Sequence, residues 1–346
     1  MFNLKIKPLN KKVLVTGGLG YIGSHTVVAL QEAGYEVVII DDLSNSELFV
    51  LGRVTEITGI KPEFLQIDLK NADLVDEFFQ THKIDGVIHF AAHKAVGESV
   101  QRPLMYYKNN LMGLLNVLEA MNKYKVDNFI FSSSCTVYGQ ADKMPIDETA
   151  PIKKAESPYA KTKQMGEEIL EDFVQSFEKN VISLRYFNPV GAHPTALIGE
   201  LPKGVPNNLV PFVTQTAAGV RECLSVFGSD YPTRDGTAIR DYIYVCDLAD
   251  AHVKALARLV EKKNKTHLEI YNLGTGIGST VLEVVRSFEE ANDLKLNYKL
   301  VDRRTGDIVE AFADNRLAEA ELEWKPETSL SECMRTAWEW QKSIPN

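Results

Sequence analysis

Short, almost wholly apolar runs alternate with longer stretches of helical periodicity from residue 13 to residue 187. A strand that is apolar on both faces needs cover on both faces, which helices between successive strands of a parallel sheet provide. The sequence therefore predicts an α/β fold with a doubly wound parallel sheet (Rossmann-type), whose ligands bind at the carboxyl ends of the strands. Strands are expected at 13–16, 35–41, 63–68, 86–92, 128–132 and 181–187, and helices are expected to end near residue 33, to span 73–82 and 103–124, and to begin at residue 157.

The pattern changes after Asn188. Five prolines and three glycines fall between residues 189 and 211, which predicts a long irregular stretch, and short helices and strands follow it. We therefore expect residues 1–188 to form the sheet domain. Residues 189–346 should form mainly a smaller C-terminal α/β substrate-binding lobe, with some segments returning to the first domain.

Charge and composition exclude several classes of protein. A net charge of −9 argues against an extended nucleic-acid surface. The seven histidines and four cysteines show neither metal-ligand spacing nor Cys-x-x-Cys, so neither a metal site nor a disulfide framework is expected. No apolar run reaches the ~18 residues of a membrane span. Residues 1–12 lack the features of a secretion or transit signal, so we expect a cytoplasmic protein with no membrane partner.

Three glycines follow the first predicted strand as Gly-x-x-Gly-x-x-Gly at 17–23. Glycines here permit a tight turn and let backbone N–H groups approach a pyrophosphate at a helix N-terminus. Asp41 ends the second strand, where an acceptor for a ribose hydroxyl belongs, and its charge favours NAD over NADP. Asp42, Ser44 and Asn45 are either further contacts or an ordinary polar turn. Asp68 either accepts from the adenine amine or caps a helix.

Tyr159 and Lys163 stand four residues apart, after a Ser-Pro pair that suits the start of a helix. Residues i and i+4 share one helix face, so the phenol should lie beside the ammonium. A tyrosine ionises near pH ~10, and a nearby positive charge lowers that pKa toward the range of a useful base. In isolation the pair is more often found on the surface of an amphipathic helix. Its position after the fifth strand indicates an acid–base site.

Motifs in a fixed order extend along the whole chain, and together they are highly specific. They are TGGLGYIG at 16–23, HFAAHKAVGES at 89–99, SSSCTVYG at 132–139, Tyr159-x-x-x-Lys163, RYFNPVGAH at 185–193, PNNL at 206–209, RDYIYVCDLAD at 240–250 and RRTGD at 303–307. With these motifs the sequence resembles the extended short-chain dehydrogenase/reductases, and within them the UDP-glucose 4-epimerases (UDP-galactose 4-epimerases).

The resemblance implies a role for each matching residue. Tyr159 would be the acid and base, Lys163 its electrostatic partner, and Ser134 a hydrogen-bond partner of the sugar 4-hydroxyl. The implied NAD site comprises Gly17, Gly20, Tyr21, Ile22, Gly23, Asp41, Asp42, Ser44, Asn45, Ser46, Asp68, Leu69, Phe90, Ala91, Ala92, Lys94, Asn109, Ser132, Tyr159, Lys163 and Phe187. The implied UDP-sugar site comprises Lys94, Ser134, Tyr159, Tyr186, Asn188, Asn208, Leu209, Ser225, Val226, Phe227, Arg240, Arg304, Asp307 and Ala311.

The implied reaction is reversible C4 epimerisation of UDP-glucose and UDP-galactose through a 4-keto intermediate. Each cycle regenerates NAD⁺, so the cofactor should stay bound. Ala311 matches a position where the family uses tyrosine to exclude N-acetylated sugars, so UDP-N-acetylglucosamine and UDP-N-acetylgalactosamine are further expected substrates. A homodimer is expected because the family pairs the helix at 103–124 with the Tyr159 helix, although apolar spacing alone leaves dimerisation open.

Other interpretations remain for these residues. Ser132, Ser133 and Ser134 could simply end a strand and cap a turn. Arg240 and Arg304 could be surface ion-pair partners, although guanidinium groups suit a diphosphate. The asparagines and Ala311 could serve local structure. Competing functions are a UDP-uronate epimerase or decarboxylase and a non-catalytic NAD or nucleotide-sugar sensor. A 4,6-dehydratase is disfavoured, because Cys135 and Thr136 follow Ser134 where that reaction needs carboxylates.

Overall fold

The computed structural model describes residues 11–304 and 307–344. In this part of the chain the largest sheet has seven strands. In spatial order they are β3 (Glu63–Gln66), β2 (Glu36–Asp41), β1 (Lys12–Thr16), β4 (Gly86–His89), β5 (Asn128–Ser132), β6 (Asn180–Tyr186) and β10 (Leu268–Leu273). Neighbouring strands from β3 to β6 pair in parallel, with Thr16 opposite both Ile40 and His89. The order 3-2-1-4-5-6 is that of a dinucleotide-binding sheet, and the predicted Rossmann-type fold is confirmed.

Helices connect these strands. They are α1 (Tyr21–Glu32), α2 (Phe49–Thr58), α3 (Ala72–Thr81), α4 (Val96–Gln101), α5 (Pro103–Lys123), α6 (Pro158–Phe177) and α8 (Val245–Val260). The start of α6 follows from its sequence, because Ser157 Oγ accepts from the N–H of Ala160 at 3.1 Å and Pro158 fills the first turn. The helices α2 and α4 are additional to the predicted ones.

The core of this sheet lies between the strands and their covering helices. Leu14, Ile40, Val87 and Phe129 are fully buried, as the apolar runs predict. Because both faces of the sheet are covered, polar groups can emerge only where strands end. Two of the candidate site residues, Asp41 and Ser132, end β2 and β5.

Smaller sheets follow along the chain. β9 (Ile239–Tyr244) pairs in parallel with β7 (Asn188–Val190) and β13 (Glu310–Ala311), and antiparallel with β11 (Gly278–Thr280). β8 (Leu224–Phe227) pairs in parallel with β12 (Tyr298–Val301). The remaining helices are the 3₁₀ helix Cys135–Tyr138, α7 (Leu209–Ala217), α9 (Val281–Asn292), α10 (Arg316–Leu322) and α11 (Leu330–Ser343).

The chain divides into two compact units and crosses between them several times. The first unit contains residues up to 133, 157–184 and 249–270, and the second contains 134–156, 185–248 and the residues from 271 onward. No helix in the described ranges is long and apolar enough to cross a membrane. The expected absence of a targeting signal concerns residues 1–10 in large part, and these lie outside the described residues, as do Thr305 and Gly306.

Candidate active site

The glycine turn after β1 is closed by backbone rather than by side chains. Gly17 has a φ of +69°, and a Cβ on it would lie 2.9 Å from the amide nitrogen of Ala91. A Cβ on Gly23 would lie 2.2 Å from the carbonyl oxygen of Gly17. Gly20 stands at the N-cap of α1, and no side chain caps the first turn of the helix, which begins at Tyr21 and Ile22. This cradle has the shape and the donors that a pyrophosphate needs.

Asp41 ends β2 and binds the loops on both sides of it. Its Oδ2 accepts from the N–H of Leu19 at 3.1 Å, within the glycine turn. Its Oδ1 accepts from the N–H of Leu43 at 3.0 Å and from Ser46 Oγ at 2.7 Å. The carboxylate, which is 8% exposed, therefore fixes the turn and the 41–46 loop together.

The polar turn after Asp41 is of the ordinary kind. Asp42 Oδ1 accepts from the N–H of Ser44 at 2.9 Å, and Ser44 and Asn45 are exposed. This is the local alternative considered for these residues.

Lys70, which follows β3, contacts two of the predicted residues, Asp68 and Asn109. Its Nζ lies 2.8 Å from Asp68 Oδ1 and donates to Asn109 Oδ1 at 2.9 Å. Burial opposes ionisation of Asp68, but hydrogen bonds from Lys70 outweigh it and lower the pKa of Asp68. Asn71, and not Asp68, caps α3, so the capping alternative for Asp68 is wrong. The Leu69 side chain is buried in the core of the sheet.

The segment after β4 leaves the sheet and turns toward the glycine turn. The N–H of Phe90 donates to the carbonyl of Thr16 at 3.0 Å, and Ala91 follows with Ala92. Lys94 Nζ lies 5.8 Å from the ring centroid of Tyr21, which brings two predicted cofactor residues together.

Tyr159 and Lys163 are both buried, at 7% and 5% exposure, so they are not a surface pair. Lys163 Nζ lies 6.0 Å from the ring centroid of Tyr159 and 4.9 Å from that of Phe131. It donates to the carbonyl of Ser132, the last residue of β5, at 2.5 Å. Burial lowers the pKa of Lys163 to about 8, against a rise caused by Glu167. Helix α6 thus places the Tyr159 phenol and the Lys163 amine, whose pKa is lowered, at the carboxyl end of the sheet.

Asn110 is a residue that sequence reasoning missed. It is 7% exposed, accepts from the N–H of His93 at 2.8 Å and donates to the carbonyl of His93 at 3.0 Å. It also donates to Thr162 Oγ1 at 3.0 Å, beside Lys163 on α6. Helix α5 also carries Lys108, Asn116, Glu119 and Asn122, so no signal in the local sequence marks Asn110 out.

In the second unit Ser134 starts the 3₁₀ helix. Its Oγ accepts from the N–H of Thr136 at 3.3 Å and from Thr136 Oγ1 at 3.0 Å. Ser134 therefore does cap a turn, as the alternative interpretation has it. The cap fixes the hydroxyl oxygen in place, which a hydrogen-bonding partner for a substrate also needs.

The predicted diphosphate arginines lie in the second unit too. Arg304 makes a bidentate ion pair with Asp307, at 3.0 and 3.1 Å, and its guanidinium lies 4.9 Å from the ring centroid of Phe227. Arg240 lies on β9 and donates to the carbonyl of Ile239 at 2.8 Å. Burial raises the pKa of Tyr242 to about 12, an effect that the charges of Arg240 and Arg304 reduce. Tyr242 thus lies near enough to feel the charges of both arginines, and it was not among the predicted residues.

The other predicted nucleotide-sugar residues occupy strands and helix starts. Asn188 begins β7, and its neighbour Phe187 is buried, following Tyr186 at the end of β6. Asn208 precedes α7, which begins at Leu209, and donates to Glu200 Oε1 at 2.6 Å. Ser225, Val226 and Phe227 lie on β8. Ala311, at 6% exposure, packs in an apolar cluster with Val137, Tyr138, Ile146, Phe187 and Ala313.

A sheet of this order, with a glycine turn after β1 and a buried Tyr-x-x-x-Lys pair after β5, defines the extended short-chain dehydrogenase/reductases. The family model for GDP-mannose 4,6 dehydratase matches residues 14–337. A UDP-glucose 4-epimerase of Dictyostelium discoideum is 51% identical over 342 residues, covering 99% of this chain and 98% of its own.

Solved structures agree. The UDP-glucose-4-epimerase from Stenotrophomonas maltophila, with bound NAD and formylated UDP-arabinopyranose, has a TM-score of 0.93 at 46% identity, with 96% of this chain and 98% of that one covered. The enzyme from Bifidobacterium longum, in complex with NAD+ and UDP, has a TM-score of 0.92 at 43% identity, with 97% and 99% covered. The chain therefore belongs to the UDP-glucose 4-epimerases of the NAD-dependent epimerase/dehydratase family.

Proposed function

We propose that this chain catalyses the reversible, NAD-dependent C4 epimerisation of UDP-glucose and UDP-galactose through a 4-keto intermediate. One observation carries the proposal: the buried Tyr159–Lys163 pair at the carboxyl end of β5, in a chain about half identical to UDP-glucose 4-epimerases. We assign NAD binding to the sheet domain and UDP-sugar binding mainly to residues after 188.

The turn at 17–23 suits NAD, because glycines at 17 and 23 let backbone segments pack where any Cβ would collide with them, and so form a tight turn at the N-terminus of α1. Asp41 keeps capacity for a ribose hydroxyl, since a carboxylate offers about four acceptor positions and the contacts to Leu19, Leu43 and Ser46 use three. When bound, NAD⁺ supplies the hydride acceptor for C4 and later returns the hydride.

Tyr159 handles the proton. Its phenolate accepts the proton of the sugar 4-hydroxyl as C4 is oxidised, and its phenol returns the proton as C4 is reduced. The ammonium of Lys163 favours the phenolate, and the scarcity of water around two buried side chains strengthens that interaction. Ser134 would hold the same sugar oxygen by a hydrogen bond.

Inversion at C4 requires the 4-keto sugar to turn its other face toward the nicotinamide. The site must therefore bind UDP tightly and the hexose weakly. The residues assigned to UDP suit this division. Arg240 and Arg304 bring planar donors to the diphosphate, and Phe227 lies beside Arg304 with an apolar ring for uracil. Asp307, now paired to Arg304, would accept from the uridine ribose. Asn188 and Asn208 would bind the remaining polar edges.

The first experiment incubates the purified protein with UDP-galactose, without added NAD, and measures UDP-glucose. Formation of UDP-glucose is expected, since tightly retained NAD suffices for turnover. Conversion of UDP-glucuronate instead would favour a uronate enzyme, loss of water would favour a dehydratase, and no conversion of any of these would favour a sensor. Tyr159→Phe should keep the fold and NAD but lose most turnover; near wild-type activity would refute the assignment.

N-acetylated substrates extend the proposal. We infer from the small side chain of Ala311 that UDP-N-acetylglucosamine and UDP-N-acetylgalactosamine are also interconverted. Ala311→Tyr should abolish the N-acetyl activity and spare UDP-galactose. Because Ala311 packs in a core cluster, the retained UDP-galactose activity also serves as the control for folding. Equal loss of both activities would contradict the inference and favour a packing role.

A homodimer is the proposed assembly. Apolar side chains are exposed along α4 and α5, namely Val96, Val100, Leu104, Met112 and Leu115. Burial of such a row between two copies would remove apolar surface from water. Light scattering should report about twice the chain mass, and Leu115→Glu should halve it. A monomeric wild-type protein at micromolar concentration would refute the dimer.

A further inference from the structure

Glu167 lies one turn beyond Lys163 on α6 and joins two strands of the sheet. Its Oε1 accepts from Ser133 Oγ at 2.6 Å and from Ser183 Oγ, on β6, at 2.9 Å. Ser133 stands in the chain between Ser132, whose carbonyl binds Lys163, and Ser134. Oε1 of Glu167 therefore holds Ser133 in place, next to Ser132, whose carbonyl accepts the hydrogen bond from Lys163.

The buried ammonium of Lys163 needs a compensating charge. Of the neighbouring elements, β5 brings the uncharged Phe131 ring and the Ser132 carbonyl. β4 brings His89, whose pKa is held at about 3 by burial and by Lys163, so it is neutral at the pH of catalysis. The next turn of the helix brings Glu167, whose charge raises the pKa of Lys163. Tyr159 on α6 is a further titratable neighbour, and α5 packs on α6 with the uncharged Asn110.

We propose that Glu167 is a positioning residue for the Tyr159–Lys163 pair, whose carboxylate keeps Lys163 protonated and, through Ser133, anchors the end of β5 that binds it. The inference rests on the proposed function, in which a charged Lys163 assists Tyr159. Its consequence is that Glu167 sets the alkaline limit of activity. A carboxylate that only tied β5 to β6 would affect all pH values alike.

The discriminating variant is Glu167→Gln, which keeps an oxygen to accept from both serines but removes the charge. In the pH profile of kcat, the alkaline limb should move toward lower pH by roughly one unit. The reason is that the negative charge of Glu167, one helix turn away, no longer stabilises the protonated form of Lys163. Near pH 9 the variant should then lose roughly fivefold more activity than it loses near pH 7. Bound NAD, circular dichroism and KM are measured on the same samples.

Two controls separate charge from structure. Ser183→Ala removes one hydrogen bond to the same oxygen and keeps the charge, so its alkaline limb should stay in place. In a Lys163→Arg background the guanidinium stays charged, so adding Glu167→Gln should leave the limb unmoved. A shift in Ser183→Ala equal to that in Glu167→Gln would overturn the proposal.

The remaining outcomes are distinguishable. A wild-type protein without epimerase activity at any pH refutes the proposed function itself. An active wild-type protein, with a folded and NAD-loaded Glu167→Gln variant whose limb is unmoved, refutes the role of Glu167 alone. Should Glu167→Gln fail to fold, Glu167→Asp withdraws the charge by one methylene and should move the limb in the same direction by less. An unmoved limb in that variant refutes the proposal as well.

Discussion

The buried charge of Lys163 should lower the stability of the folded protein at neutral pH. Burial lowers its pKa from about 10.5 to about 8, so the folded state binds this proton less tightly than the unfolded state does. A gap of about 2.5 pH units corresponds to about 3 kcal/mol at neutral pH. Lys163→Met keeps an apolar stem of similar length and removes that penalty, but leaves the Ser132 carbonyl without this donor, at about 1–2 kcal/mol. The variant should therefore be more stable at pH 7 by about 1–2 kcal/mol and nearly inactive.

The sign of the pH dependence is the sharper test. A group whose folded pKa is lowered contributes full stability only above its unfolded pKa, and that stability is lost as pH falls through the folded value. The free energy of unfolding of the wild-type protein, relative to that of Lys163→Met, should therefore rise by about 2 kcal/mol between pH 7 and pH 9.5. Urea unfolding with saturating NAD at several pH values measures this difference, and any pH-independent loss of cofactor contacts cancels from the slope.

The control is Lys179, another buried lysine, which has an ion pair to Asp127 at 2.7 Å. Lys179→Met removes that pair and should bring no gain in stability at pH 7. If the difference in free energy of unfolding between the wild-type protein and Lys163→Met were constant from pH 7 to pH 9.5, the reasoning would be refuted. It would mean that the folded and unfolded states bind the Lys163 proton equally tightly.

Three further predictions concern other residues. Gly23→Ala should abolish NAD binding, because its Cβ meets a backbone oxygen at 2.2 Å, whereas Gly52→Ala, with nothing within 4 Å, should bind NAD normally in fluorescence titration. Asn110→Ala should lower stability by about 1–3 kcal/mol in urea unfolding, since it removes the hydrogen bonds to His93, after β4, and to the buried Thr162 on α6, and should lower kcat more than it raises KM. Asp241→Asn should cost about 2–3 kcal/mol by the same assay, because one of its oxygens accepts from the N–H groups of Gly276 and Ala313 and an amide nitrogen would repel them.

The sheet could be predicted because its strands are apolar on both faces. Their ends were less predictable. The apolar run at 86–92 predicts a strand of that length, but β4 ends at His89 and the next residues leave the sheet to pass the glycine turn. Apolar side chains that line a ligand site and those that line a core look alike in a sequence. The helix α2 escaped prediction because it buries only Val50 and Val54, too few for a clear period.

The candidate site divides in the same way. Residues whose chemistry depends on neighbours in the sequence, such as Tyr159 with Lys163, are visible as motifs. Residues whose role depends on distant segments are not. Asn110 joins His93, in the segment after β4, to Thr162 on α6, and these hydrogen bonds exist only once α5 packs beside both. Nothing in the local sequence distinguishes it from a solvated asparagine.

Glu167 escaped prediction for the same reason, whereas Asp41 was predicted because it ends the strand that follows the glycine turn. Each is one acidic residue on or beside a regular element, the commonest kind of surface residue in a sequence. The fold instead brings serine hydroxyl or backbone N–H donors from two segments to each carboxylate. Asp41 ends β2, and Glu167, which lies on α6, accepts from Ser133 directly after the end of β5. Where parallel strands end, the sheet no longer satisfies its own backbone groups. The polar groups that complete the sheet edge are therefore the ones placed to hold a cofactor or a lysine charge, so an acidic residue at a strand end should be tested for function before it is assigned to the surface.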